Sequence, residues 1–150
     1  MRLAIGADHA GFALKAQILS HLRGLGHDVH DHGTLVAERC DYPDLAVAVA
    51  QAVASREAEL GFLCCGTGQG MAMTANRVPG VRAAVCSDTF SARATRQHND
   101  ANVLCLGERV LGVGLAVELV DAFLSASFEG GRHAERVQKI TALEPLGRSA

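Results

Sequence analysis

Cys65-Gly66-Thr67-Gly68-Gln69-Gly70 sets a thiol against three alternating glycines. The run closes an apolar stretch, Leu60 to Cys64, and precedes a helix-like segment that begins at Met71. A strand, a glycine turn and a helix N-terminus gather backbone N–H groups at one point. A cysteine there can serve as an anionic base beside an oxyanion pocket. The same N–H cluster should draw Cys65 towards thiolate. The loop fits neither the dinucleotide pattern G-x-G-x-x-G nor the P-loop, which ends in Gly-Lys-Ser/Thr.

Other segments carry reactive groups. Asp8-His9-Ala10-Gly11 lies between a strand and a helix, where Asp8 can touch a ligand or simply cap the helix. His98, in Arg96-Gln97-His98-Asn99-Asp100, titrates near neutrality and can move a proton. It can equally be a surface histidine favoured by a helix C-terminus, and Asn99 can stop that helix. Arg132 and Arg136 stand four apart, one turn on one helix face. Two guanidinium forks suit a phosphate, though a solvated basic face is the plainer reading. Arg109 is a candidate third arm. His27, His30 and His32 invite a metal reading, but a polar edge strand explains them and no fourth ligand follows at a characteristic spacing.

These groups need a scaffold. Strands are predicted at Arg2 to Ala7, Asp28 to His32, Leu60 to Cys64, Val81 to Cys86 and Val103 to Leu106. Helices are predicted at Phe12 to Leu25, Tyr42 to Ser55, Met71 to Arg77, Asp88 to about His98, Gly112 to Ala126, and Ala134 to Ala142. This βαβα rhythm implies a parallel sheet covered by helices on both faces. Ligands bind such sheets at the carboxyl ends of the strands. Asp8-His9, Cys65 to Gly70, Ser87-Asp88 and Gly107 to Arg109 all follow strands. One domain is expected over 1–150. The Gly130-Gly131 pair could let the last helix swing out to a partner subunit.

Composition narrows the class. The chain has 150 residues, 49% of them apolar, and suits one aliphatic core. Its formal net charge is -2 with no basic block, which argues against nucleic acid or a membrane surface as partner. No apolar stretch is long enough to span a bilayer, and the N-terminus reads as a strand, not a signal peptide. The five cysteines include no C-x-x-C pair, and four fall in apolar runs. A cytoplasmic protein with free thiols is the expectation. Cys64, Cys86 and Cys105 read as small buried hydrophobes.

Taken in order, several segments resemble the type B ribose-5-phosphate isomerases of the ribose/galactose isomerase family. They are Gly6 to Phe12, Asp41-Tyr42-Pro43, Cys65 to Gly70, Ser91 to Asn102, and Glu129 to His133 with Arg136. The resemblance runs to about Ala142. It implies a Rossmann-like three-layer α/β/α sandwich with a five-stranded parallel sheet and an extra C-terminal helix. It implies a homodimer, or a dimer of dimers, whose active sites are shared across the interface. The reaction it implies is aldose–ketose isomerisation of a small phosphorylated sugar, D-ribose 5-phosphate to D-ribulose 5-phosphate, through a cis-enediolate. By resemblance Cys65 is the base, His98 of the partner subunit opens the sugar ring, and Thr67 assists. Asp8, His9, Tyr42, Gly66, Thr67, Gly68, Gln69, Gly70 and Asn99 would contact the sugar, while Arg109, Arg132 and Arg136 hold the phosphate. Neither metal nor organic cofactor is implied.

Relatives of this kind act on tetrose, pentose and hexose phosphates. Erythrulose 4-phosphate, allose 6-phosphate and galactose 6-phosphate therefore stand as alternative substrates, and a non-catalytic sugar-phosphate binder as the alternative class. Gln69 is a bulky polar residue where relatives often carry an apolar one. With three arginines free to hold the phosphate, the glycine loop is left for the enediolate.

Overall fold

The aliphatic runs pair in parallel. A computed structural model describes residues 1–143, so 144–150 of the expected 1–150 domain lie outside the described residues. The strands are β1 (Arg2–Ala7), β2 (Asp28–Asp31), β3 (Leu60–Cys65), β4 (Ala83–Val85) and β5 (Val103–Gly107). They form one sheet in the order β2-β1-β3-β5-β4, every neighbouring pair parallel. The helices are α1 (Phe12–Gly24), α2 (Tyr42–Ala54), α3 (Gln69–Ala75), α4 (Thr89–Asn99), α5 (Val113–Leu124) and α6 (Arg132–Thr141).

Strand pleating divides the core in two. Leu3, Ile5, Phe62, Cys64, Leu104 and Leu106 pack against α1, α5 and the Ala92 face of α4. Ala4, Leu63, Cys65, Val103 and Cys105 pack against α2 and α3 on the other side. The outcome is the expected Rossmann-like three-layer sandwich. β3 is buried along its whole length, as a central parallel strand must be. Inside the α1 layer, buried Lys15 sends Nζ to both Asp31 carboxylate oxygens at 2.8 Å and to the Thr34 carbonyl at 2.7 Å, tying α1 to β2.

Several boundaries differ from the sequence reading. Cys65 is the last residue of β3, and α3 starts at Gln69, so Gln69 and Gly70 form its first turn. β4 is shorter than Val81 to Cys86, because Val81 N–H closes a turn onto Val78 O and Arg82 N–H donates to the Asn102 side chain. Asp88 caps α4 as expected, its Oδ1 accepting the Ser91 N–H at 2.7 Å. The left-handed residue that stops α4 is Asp100, φ 48°, not Asn99. α6 begins at Arg132 instead of Ala134, and it lies against α4 of its own chain, with Glu129 N–H donating to Gln97 O at 3.0 Å.

Candidate active site

The site is built from the end of β3. Successive side chains of a strand point to opposite faces, so Cys64 and Cys65 part company. Cys64 turns into the α1/α5 core with no exposed surface, where burial, then the neighbouring Cys65 and Glu108, push its thiol far up. Cys105 is likewise pushed up by burial, and Cys86 is raised to about 11 by burial and then Asp88. Cys65 turns to the α3 side, where the Gly68 N–H donates to its Sγ at 3.0 Å. An N–H aimed at sulfur can stabilise negative charge there. That geometry depends on Gly68 at φ +80°, with Leu106 backbone atoms only 3.2 Å from where a Cβ would sit.

The other carboxyl ends converge on this loop. Glu108 N–H donates to Cys65 O at 2.9 Å and Arg109 N–H to Gly66 O at 3.0 Å. The Arg109 side chain lies along Gly66, its Nε 3.4 Å from where a Cβ would stand. The Tyr42 ring covers Gly70, 2.7 Å from the equivalent point. Thr67 Oγ1 accepts the Gln69 N–H at 3.3 Å, and both residues are exposed. From β1, buried Asp8 accepts the Ala10 and Gly11 N–H groups through Oδ1 at 2.9 and 3.0 Å, so it does shape the turn into α1. Exposed His9 accepts the Cys40 N–H through Nδ1 at 3.4 Å. Gly11 lets this turn press onto β3: a Cβ there would be 2.4 Å from the Cys64 carbonyl carbon.

His98, Asn99, Arg132 and Arg136 are not in this group. α4 runs back from the carboxyl edge to the amino edge of the sheet, about 15 Å along its axis. Its end sits against the strand starts: Arg82 Nε, just before β4, donates to Asn99 O at 3.1 Å and to Asp100 O at 2.9 Å. At this edge His98 stacks on His133, ring centroids 4.4 Å apart and planes 7° from parallel. Arg132 and Arg136 are exposed on the adjoining helix. One chain therefore holds its candidate residues in two sets at opposite edges.

A cavity of about 550 Å³ opens at the amino edge, with Asn76, Arg82, Thr95, Asn99 and Ile140 on its walls. Among the described residues its lining offers amide, hydroxyl, guanidinium and aliphatic groups. Among the described residues, His98, Glu129 and His133 bring ligating atoms within 4.8 Å of one another. His27, His30 and His32 form no such trio; His30 and His32 touch edge to face, and burial followed by His30 lowers the His32 ring's pKa. No helix among the described residues is long and apolar enough to cross a membrane.

Sequence reasoning assigned no role to Glu108, Glu129 or His133. Glu108 Oε2 accepts the Leu14 N–H at 2.8 Å, fastening α1 to the segment that carries Arg109. Its position after a strand was the available signal. Only the fold brings Glu129 and His133 to His98.

The chain as a whole has known relatives. The family model for Ribose/Galactose Isomerase matches residues 3–140. Ribose-5-phosphate isomerase B of Escherichia coli is 52% identical over 143 residues, covering 95% of this chain and 96% of the relative. D-Erythrulose-4-phosphate isomerase of Pectobacterium atrosepticum is 45% identical over 141 residues, 93% of each chain. The solved structure of Clostridium thermocellum ribose-5-phosphate isomerase B superposes with a TM-score of 0.95 at 51% identity, covering 96% of this chain and 97% of that one. The chain therefore belongs to the ribose/galactose isomerase family as a sugar-phosphate isomerase.

Proposed function

We propose that this chain interconverts D-ribose 5-phosphate and D-ribulose 5-phosphate through a cis-enediolate, with Cys65 as the base. The observation that carries the reading is the Gly68 N–H on Cys65 Sγ at 3.0 Å, where β3 passes into the glycine turn. The thiolate removes the proton on the carbon next to the carbonyl and returns it to the neighbouring carbon. N–H groups of the Gly66 to Gly70 loop stabilise the enediolate oxygen, and Thr67 hydrogen-bonds it. Asp8, His9, Tyr42, Gln69 and Asn99 contact the sugar. Arg109, Arg132 and Arg136 hold the phosphate, which positions a small flexible substrate.

Two chains make each site. His98, the ring-opening acid, and Asn99, Arg132 and Arg136 lie at the edge of the sheet remote from Cys65 of their own chain. A second copy can bring that edge to the first copy's carboxyl edge, and an isologous pairing completes two sites at once. Exposed Leu35, Val36 and Phe90 near the carboxyl edge suit such a contact. The proposal is thus a cytoplasmic homodimer, or a dimer of dimers, in which α6 contributes to the partner's site.

A second reading is favoured by the 45% identity to a D-erythrulose-4-phosphate isomerase: the same machinery on a four-carbon substrate. Turnover of four-, five- and six-carbon aldose and ketose phosphates separates the two. The highest kcat/KM is expected on ribose 5-phosphate. Binding without turnover of any member would identify a non-catalytic binder. Cys65→Ala should abolish isomerisation while sugar-phosphate binding persists; full turnover by that variant would remove Cys65 as the base.

A further inference from the structure

We propose that Glu129 and His133 are positioning residues for His98, together fixing its ring and the proton it donates. The proposal rests on the reading of His98 as the ring-opening acid. The geometry comes from the turn ahead of α6. Gly130 and Gly131 both take positive φ, 66° and 55°, and His133 N–H closes onto Gly130 O at 3.0 Å. This reverses the chain so that the first turn of α6 faces α4. His133 is thereby buried, with 7% of its surface exposed, although it lies between exposed Arg132 and a half-buried Ala134.

The buried ring is a platform. It lies face to face with His98, and both rings turn Nε2 to one carboxylate oxygen, Glu129 Oε2, at 3.9 Å from His98 and 3.8 Å from His133. Glu129 is itself pinned to α4 by its N–H bond to Gln97 O. Two imidazolium rings so close would repel, so charge on His98 disfavours charge on His133. Burial, His98, Arg132 and Arg136 all act to keep His133 neutral, and Glu129 opposes them. A neutral His133 can support the neighbouring ring without competing for the carboxylate as a cation.

Stacked support and a shared anion predict separable defects. Glu129→Gln keeps the size of the side chain but removes its charge. His133→Ala removes the platform, and His133→Phe restores a flat ring without nitrogens. The tests are steady-state kinetics on ribose 5-phosphate and an NMR pH titration of the imidazole pair, each in the full-length protein. Glu129→Gln and His133→Ala should each lower kcat roughly tenfold to a hundredfold, with KM changed far less. His133→Phe should recover most of the loss seen in His133→Ala. In Glu129→Gln the first protonation of the pair should move to lower pH, because an anion that held the proton is gone. Normal kcat in both Glu129→Gln and His133→Ala, with an unmoved titration, would overturn the proposal. A wild-type protein without turnover would instead remove the isomerase reading, and the titration would still decide whether Glu129 holds the proton on the pair.

Discussion

Leu14 and Glu108 are 94 residues apart in sequence, yet the Leu14 N–H donates to Glu108 Oε2 at 2.8 Å. The bond satisfies an otherwise orphaned N–H in the first turn of α1 and places a carboxylate at the helix's positive end. Glu108 is also held by its own N–H on Cys65 O. α1, the thiol and Arg109 therefore share one frame. Glu108→Ala is expected to cost about 1–2 kcal/mol in urea unfolding. KM for the sugar phosphate should rise more than kcat falls, because Arg109 loses its register. A variant with unchanged stability would show that the frame does not depend on this bond.

Gly11 is a packing constraint of a different kind. With a Cβ only 2.4 Å from the Cys64 carbonyl carbon, Gly11→Ala must push the α1 turn off β3. Overpacking against backbone is expected to cost about 3 kcal/mol. Thermal unfolding of the variant, set beside Gly24→Ala, checks this; among the described residues nothing beyond its own turn of helix lies within 4 Å of a Cβ at Gly24. Equal midpoints for the two variants would contradict the close approach.

The two-edge arrangement predicts complementation. Cys65→Ala and His98→Asn should each be poorly active alone. Unfolded together and refolded as mixed dimers, they should regain about a quarter of wild-type activity. Half of the dimers are then mixed, and each mixed dimer has one site with both residues intact. No recovery in mixtures shown by mass spectrometry to contain mixed dimers would place both residues in a site made by one chain.

Cys86 gives the chain a built-in alkaline weakness. Its thiol rises from 9.0 to about 11 on folding, mainly through burial. Below pH 9.0 folded and unfolded chains both keep the proton. Between pH 9.0 and about 11 only the unfolded chain releases it, so this contribution to stability falls as pH rises, and it is gone above the folded value. Thermal midpoints should decline across that window, and Cys86→Ala should make the decline shallower, the remainder coming from the raised thiols of Cys64 and Cys105. An equally steep decline in the variant would assign it to other groups.

Much of the fold was legible because its signals are local. β1 spans Arg2–Ala7 as read, and Asp88 caps α4 as its type and place suggested. The carboxyl-edge set of Asp8, Cys65 to Gly70 and Arg109 followed from the rule that loops after parallel strands gather at one edge. What escaped was settled by tertiary contact. β4 lost its first two residues to a turn and to the Asn102 side chain, and α6 gained Arg132 from the Gly130-Gly131 reversal. Glu108, Glu129 and His133 acquire partners on α1 or α4 that no window of sequence contains.

The division of labour between Cys64 and Cys65 comes down to parity. The two sulfurs are chemically identical and adjacent, and only the count of residues along β3 decides which one meets the Gly68 N–H. Deleting one residue within β3 would exchange their faces, because a slip of one position inverts a strand. Cys65 would then be lodged in the α1/α5 core, with the glycine loop that follows it still present in the sequence.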